Sequence, residues 1–123
     1  MKPSSVLRLT AAALGIAAMV SALPAITATA APSKGNPAEG KKIFTVKCVA
    51  CHKADGTGGV KLTGNPTPNW HDKKRMATIT DDYLRDCITN GKAKSGMVAW
   101  GKTGQIKPAE IENLIAFIRT FSK

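Results

Sequence analysis

Acidic residues are scarce in this chain. Eight Asp and Glu stand against 18 Lys and Arg, giving a formal net charge of +10. Aromatic residues are scarcer still: three Phe, two Trp and one Tyr. Cysteine occurs three times, too few for a four-cysteine zinc site. No run alternates with the period of a strand, and no segment repeats, so sandwiches, barrels and repeat arrays are excluded. No βαβ pattern is visible, which argues against a thioredoxin-like redox domain.

What is present centres on Cys48-Val49-Ala50-Cys51-His52. The pattern C-x-x-C-H is the attachment sequence of a c-type haem. Two thiols three positions apart can each add to one vinyl group of a single porphyrin. The histidine after the second cysteine then lies under the ring, where an imidazole nitrogen binds the iron. One competing reading remains open here: three cysteines and one histidine, Cys48, Cys51 and Cys87 with His52 or His71, satisfy the arithmetic of a zinc site. The few rings in the sequence favour haem, because a core so poor in aromatics has room for a porphyrin.

The N-terminal segment supports export. Lys2 and Arg8 form a short basic region, Leu9 to Val20 is an uncharged Ala-rich run, and Ala28-Thr29-Ala30 has the small residues of a cleavage site. This layout is that of a secretory signal peptide over residues 1–30, cleaved after Ala30, with Ala31 or Ala25 as other possible ends. A run so rich in alanine is a poor membrane anchor. No stable membrane insertion is expected after cleavage, and the expected location is the periplasm.

Cleavage leaves 93 of the 123 residues, one small domain over 31–123. A domain of that size is marginal alone, and a buried apolar cofactor remedies this. The leader carries two of the 18 cations and none of the eight acids, so the remainder has a net charge of +8. Such a charge steers acidic partners. Nucleic acid is the rival partner for a basic chain, but export and the scattering of the lysines argue against it.

Along this domain, Asn36-Pro37 followed by Glu39 predicts a helix start resembling a capping box, with the helix running to Lys47. Gly40 and Phe44 share one face, and Gly40 predicts close approach of another helix. Lys53 to Lys74 reads as a long loop, broken by glycines and prolines. Thr80 predicts the cap of a second helix ending at Asn90 before Gly91, with Tyr83, Leu84, Cys87 and Ile88 on one face. A second loop, Gly91 to Gly104, carries Met97. Pro108 starts a last helix in which Ile111, Leu114, Ile115, Ile118 and Phe121 recur at helical spacing. The class is all-α with long loops.

A haem iron held by His52 has a second axial position. Met97 is the first candidate, because a methionine in a glycine-flanked loop is poorly explained as core filler. Met76 reads as packing, and His71 is the main competitor. Trp70 and Trp100 are candidates for packing beside the haem or donating to a propionate. Cys87 reads as a buried, inert thiol on an apolar helix face.

Together these residues resemble the class I cytochromes c. Gly40-x-x-x-Phe44-x-x-x-Cys48-x-x-Cys51-His52 is similar to the family's first helix and attachment motif, and Leu114-x-x-Phe117 to its partner motif on the last helix. Leu62-Thr63-Gly64-Asn65-Pro66 resembles the loop in which a proline carbonyl accepts from the ring N–H of the haem histidine. Met97-Val98-Ala99-Trp100-Gly101 resembles the axial methionine loop, with Val98 where the family has proline. The resemblance implies a cytochrome c-like fold of three to four helices wrapped with long loops around one haem c. Cys48 and Cys51 would attach it, and His52 and Met97 would be the iron ligands.

The function this implies is that of a soluble periplasmic monohaem electron carrier and not an enzyme. It would cycle Fe(III)/Fe(II) and meet acidic redox partners as a monomer or in transient complexes. Lys47, Lys53, Lys61, Lys92, Lys94 and Lys102 lie nearest the haem in sequence and are the expected steering residues. The alternatives are a gas-binding or sensing haem protein with a labile methionine, and a haem subunit of a larger oxidoreductase.

Overall fold

A computed structural model describes residues 34–123. The leader reading of residues 1–30 lies outside the described residues. Five helices follow in order: α1 (Pro37–Lys47), α2 (Val49–His52), α3 (Lys73–Thr78), α4 (Asp81–Asn90) and α5 (Pro108–Ile118). Single 3₁₀ turns occupy Ala93–Ser95 and Arg119–Ser122. Three of the helices are long, and α2 and α3 are short additions to them. No strand occurs among the described residues.

The capping residues set the helix starts. The Asn36 side chain accepts from the Ala38 N–H at 2.9 Å, and Pro37 opens α1. Glu39 does not return to the cap as a capping box requires. Its carboxylate pairs with Lys42 at 2.7 Å, and the Asn36 N–H instead donates to Asn113 Oδ1 on α5, also at 2.7 Å. Thr80 Oγ1 accepts from the Tyr83 N–H at 3.1 Å and starts α4. Gly91, at φ 70°, ends it.

Helix α1 packs chiefly on α5. A Cβ on Gly40 would lie 2.0 Å from the Asn113 carbonyl oxygen and 2.9 Å from Phe117 Cβ, so only glycine permits this approach. Next along α1, Phe44 is 1% exposed and meets Phe117 with ring centroids 5.2 Å apart. The apolar stripe of α5, Ile111, Leu114, Ile115 and Ile118, is buried as its spacing predicts.

Arg119, just beyond α5, ties the other side together. Its guanidinium donates to Asp81 Oδ1 at 2.8 Å, to the Met76 carbonyl at 3.0 Å and to the Ile79 carbonyl at 2.6 Å. It thus adds a donor to two carbonyls at the end of α3 while pairing with the first residue of α4. Asp81 therefore serves a tertiary ion pair in addition to its place in the first turn of α4.

The scarce rings are concentrated. Phe44, Trp70, Phe117 and Phe121 form one cluster, with neighbouring centroids 5.1 to 5.9 Å apart. Each buried ring contributes a large apolar area and tilted-ring attraction. Trp70 joins this cluster to His52, on which it stacks.

Candidate functional site

A cavity of about 300 Å³ opens beside α2, and Cys48, Cys51, His52 and Met97 all line it. The structure thus brings the four residues singled out from the sequence to one place. Helix α1 delivers the first three: Phe44 anchors its buried face, and α2 follows within one residue. The His52 N–H donates to the Cys48 carbonyl at 2.9 Å, so the five-residue motif is wound into a single helical turn. That turn places both thiols and the imidazole along one cavity wall.

Leu84, Ile88, Leu114 and Ile118 supply apolar walls from α4 and α5. The charged groups in the lining are Lys47, Arg75 and Lys92, and no carboxylate lines the cavity among the described residues. Arg85 and Arg119 are engaged in ion pairs with Glu112 and Asp81. Arg75, by contrast, reaches the cavity from α3. Sequence reading missed this role. The available signal was a single arginine after two lysines, at the point where the loop reading ends and α3 begins.

The histidine differs from expectation. Its Nδ1 is buried with no hydrogen-bond partner, so neither Pro66 nor a neighbouring carbonyl takes its proton. Pro66 does line the cavity, but the ring is oriented by stacking on Trp70, with centroids 4.4 Å apart and planes 12° from parallel. Burial pushes the His52 imidazolium down to about 4, so the ring is neutral at pH 7 with a lone pair free for a metal. Burial, and then the neighbouring Cys51, push the Cys48 thiol up to about 11 against the opposing effect of Lys47.

Thr67 is the residue that organises the loop after the motif. Its hydroxyl donates to the Cys51 carbonyl at 2.7 Å and accepts from the Val60 N–H at 3.1 Å. Its own N–H and carbonyl pair with the Val60 carbonyl and the Gly59 N–H, both at 2.9 Å. A threonine between two prolines, Pro66 and Pro68, carries no periodic signal. Its role emerges only once the loop is folded back on α2.

His71 does not line the cavity. Its Nε2 lies 2.6 Å from the Asp55 carbonyl, and its ring packs edge-on against Phe121, so it fastens the loop. Met76 is 2% exposed and packs in the core, as its sequence context suggested. Trp70 and Trp100 both line the cavity, and Lys47 Nζ sits 5.1 Å over the Trp100 ring. Cys87 is buried on α4 as expected, and it also forms part of the cavity wall. Tyr83 is 51% exposed, not interior like Leu84 and Ile88, and lies at the cavity edge with Lys92 Nζ 4.8 Å over its ring.

The donor set fits a haem. Two thiols, a neutral imidazole and a thioether meet in an apolar cavity whose charges are all cationic, as a flat apolar macrocycle bearing two carboxylates requires. Among the described residues no cluster of three or more His, Cys, Asp or Glu is arranged to hold a metal ion, so the zinc reading has no geometric support.

Comparison with known proteins gives a consistent picture. The family model described as cytochrome C oxidase, cbb3-type, subunit III matches residues 35–118. Over 92 residues the chain is 33% identical to the cbb3-type cytochrome c oxidase subunit FixP of Bradyrhizobium sp., a match covering 69% of this chain and 30% of that protein. The chain therefore spans less than a third of FixP. Over 86 residues it is 35% identical to cytochrome c6 of Rippkaea orientalis, covering 68% of this chain and 69% of that one. Among solved structures, the KustC0563 c-type cytochrome is similar at a TM-score of 0.55 and 24% identity, covering 68% of this chain and 98% of that one. At that identity the likeness is one of fold.

Proposed function

Because this chain belongs to the class I c-type cytochromes, a family of haem-bearing electron carriers, we propose that it is a soluble periplasmic carrier of single electrons between protein partners. The observation that carries this reading is the convergence of Cys48, Cys51, His52 and Met97 on one cavity. Cys48 and Cys51 would hold one haem c by thioether bonds, each thiol adding S and H across a vinyl double bond. His52 and Met97 would be the axial donors. The haem supplies an iron that takes up and releases one electron. The protein's contribution would be to offer two side-chain donors, His52 and Met97, to the iron and to shield the group from water with Leu84, Ile88 and Leu114. A thioether opposite a histidine favours the ferrous state and raises the potential. Lys47, Arg75 and Lys92, the cations of the cavity lining, would pair with the haem's carboxylates.

Export is part of the proposal: residues 1–30 have the layout of a leader, and covalent haem attachment suits an exported chain. No helix among the described residues is long and apolar enough to cross a membrane. Carbon monoxide tests the carrier reading. The ferrous protein should refuse it, because Met97 holds its position. Ready binding would overturn the carrier reading in favour of a gas-binding protein.

Lysine steering gives a second expectation. Lys61 and Lys94 are exposed and flank the cavity residues Leu62 and Ser95. The double variant Lys61→Glu/Lys94→Glu should lower the rate at which hexacyanoferrate(III) oxidises the ferrous protein by about tenfold at low salt. The difference should close as salt rises and the Debye length falls to about 3 Å near 1 M. Equal rates at low salt would remove the steering claim.

A second reading is favoured by the similarity to FixP and to the cbb3-type subunit family. In it the chain is a haem subunit docked on a larger oxidase. Co-purification with an oxidoreductase in high salt would support that reading over a transient carrier.

A further inference from the structure

We propose that Thr63 and Gly64 clasp the methionine loop and set how readily Met97 leaves the axial position; the proposal rests on the reading of Met97 as a ligand. Two segments meet at the opening of the cavity. One follows the histidine and contains Leu62-Thr63-Gly64. The other runs from Lys92 to Met97. Leu62, Ser95, Gly96 and Met97 all line the cavity, and Leu62 is 58% exposed, which places this meeting point at its rim.

The methionine segment is closed on itself. Lys92 and Met97 exchange both backbone hydrogen bonds, each 3.1 Å long. The Ser95 N–H donates to the Lys92 carbonyl at 2.8 Å and the Gly96 N–H to the Ala93 carbonyl at 3.1 Å. The Lys94 carbonyl faces the other segment, where Thr63 Oγ1 donates to it at 3.1 Å across 31 positions of sequence. Gly64, at φ 57°, comes so close that a Cβ would lie 2.4 Å from that same oxygen. Gly96 answers from the other side, where a Cβ would lie 3.2 Å from Leu62 Cβ.

On its far flank the segment rests on Gly91, whose Cβ would lie 2.5 Å from the Met97 carbonyl. That contact is local, at the end of α4. The Thr63 bond is long-range, and it joins the segment that follows His52 to the segment that carries Met97. Residue 98 is valine, so no proline ring stiffens the step after the methionine. The clasp then adds stiffness beyond that of the Lys92–Met97 pairing. Thr63 is a positioning residue: it touches neither the iron nor a partner, and it acts through the Lys94 carbonyl, three residues before Met97.

The test is the rate at which imidazole displaces Met97 in the ferric holoprotein, followed by loss of the far-red sulfur-to-iron absorption band. Thr63→Val keeps the shape and removes the donor. It should speed displacement about fivefold, the factor that one neutral hydrogen bond is worth. Thr63→Ser keeps a hydroxyl and should stay within about twofold of the native rate. Equal rates for Thr63→Val and the native protein would overturn the clasp while leaving Met97 as ligand, as would a Thr63→Ser variant as fast as Thr63→Val. A native ferric protein without the band would overturn both the Met97 assignment and the clasp built on it.

Discussion

Replacing Gly40 with alanine is expected to cost on the order of 3 kcal/mol, the upper part of the range for overpacking. Two effects oppose each other. Alanine is the better helix former by about 1 kcal/mol. Against that, the added methyl carbon would lie 2.0 Å from the Asn113 carbonyl oxygen and 2.9 Å from Phe117 Cβ. The oxygen is backbone, so no side-chain rotation relieves the contact, and α1 and α5 must separate. Separation loosens Phe44 against Phe117 and withdraws Asn36 from Asn113 Oδ1. The clash therefore outweighs the propensity gain. In a domain of this size about 3 kcal/mol corresponds to a fall of roughly 15 °C in Tm. Thermal unfolding of the holoprotein measures it, and a Tm within about 3 °C of native would show that the helices part without penalty.

The double variant Cys48→Ser/Cys51→Ser should lose covalently bound haem altogether. Both thiols line the cavity on the helical turn that presents His52, and serine hydroxyls do not make thioethers. The cofactor would then be held by axial donors and apolar contacts alone. A ligand that binds only the folded state stabilises it by mass action, so its loss lowers stability as well. Mass spectrometry under denaturing conditions gives the readout: the native chain should carry the added mass of one haem and the variant none. Cys87→Ala is the control. Cys87 also lines the cavity, but it stands on α4 outside the motif, and its removal should leave the haem mass in place.

Much of this site was legible in the sequence because its parts are local. Cys48, Cys51 and His52 lie within five positions on one helical turn, so their spacing alone was enough to single them out together. Asn36, Thr80 and Pro108 mark helix starts through capping rules that act within four residues. Gly40 was legible as a close approach because glycine inside a helix needs a reason. Membership of the class I c-type cytochromes follows from the family and relative matches, and the helical fold agrees with it.

The parts that were not legible depend on long-range contacts. Helix α3 has six residues and one buried side chain, Met76, too little for a period to show. Its cap, Asp72, accepts from the Arg75 N–H at 3.0 Å, a signal easily lost beside the glycines and prolines before it. Arg119 bonds to residues about 40 positions away. The orientation of His52 was expected from a proline carbonyl. It comes instead from Trp70, 18 positions downstream, whose sequence context suggests packing or an indole N–H donor but not a stack on the histidine. Thr67 and Thr63 are unremarkable in sequence, and each matters through a carbonyl that the fold brings to it.

The optical spectrum of the purified, exported protein tests the central claim most directly. The account predicts sharp low-spin c-haem bands on reduction and the far-red sulfur-to-iron band in the ferric form, the signature of His52 and Met97 on one iron. A c-haem spectrum without the far-red band would contradict Met97 ligation, and a protein without haem would contradict the account as a whole.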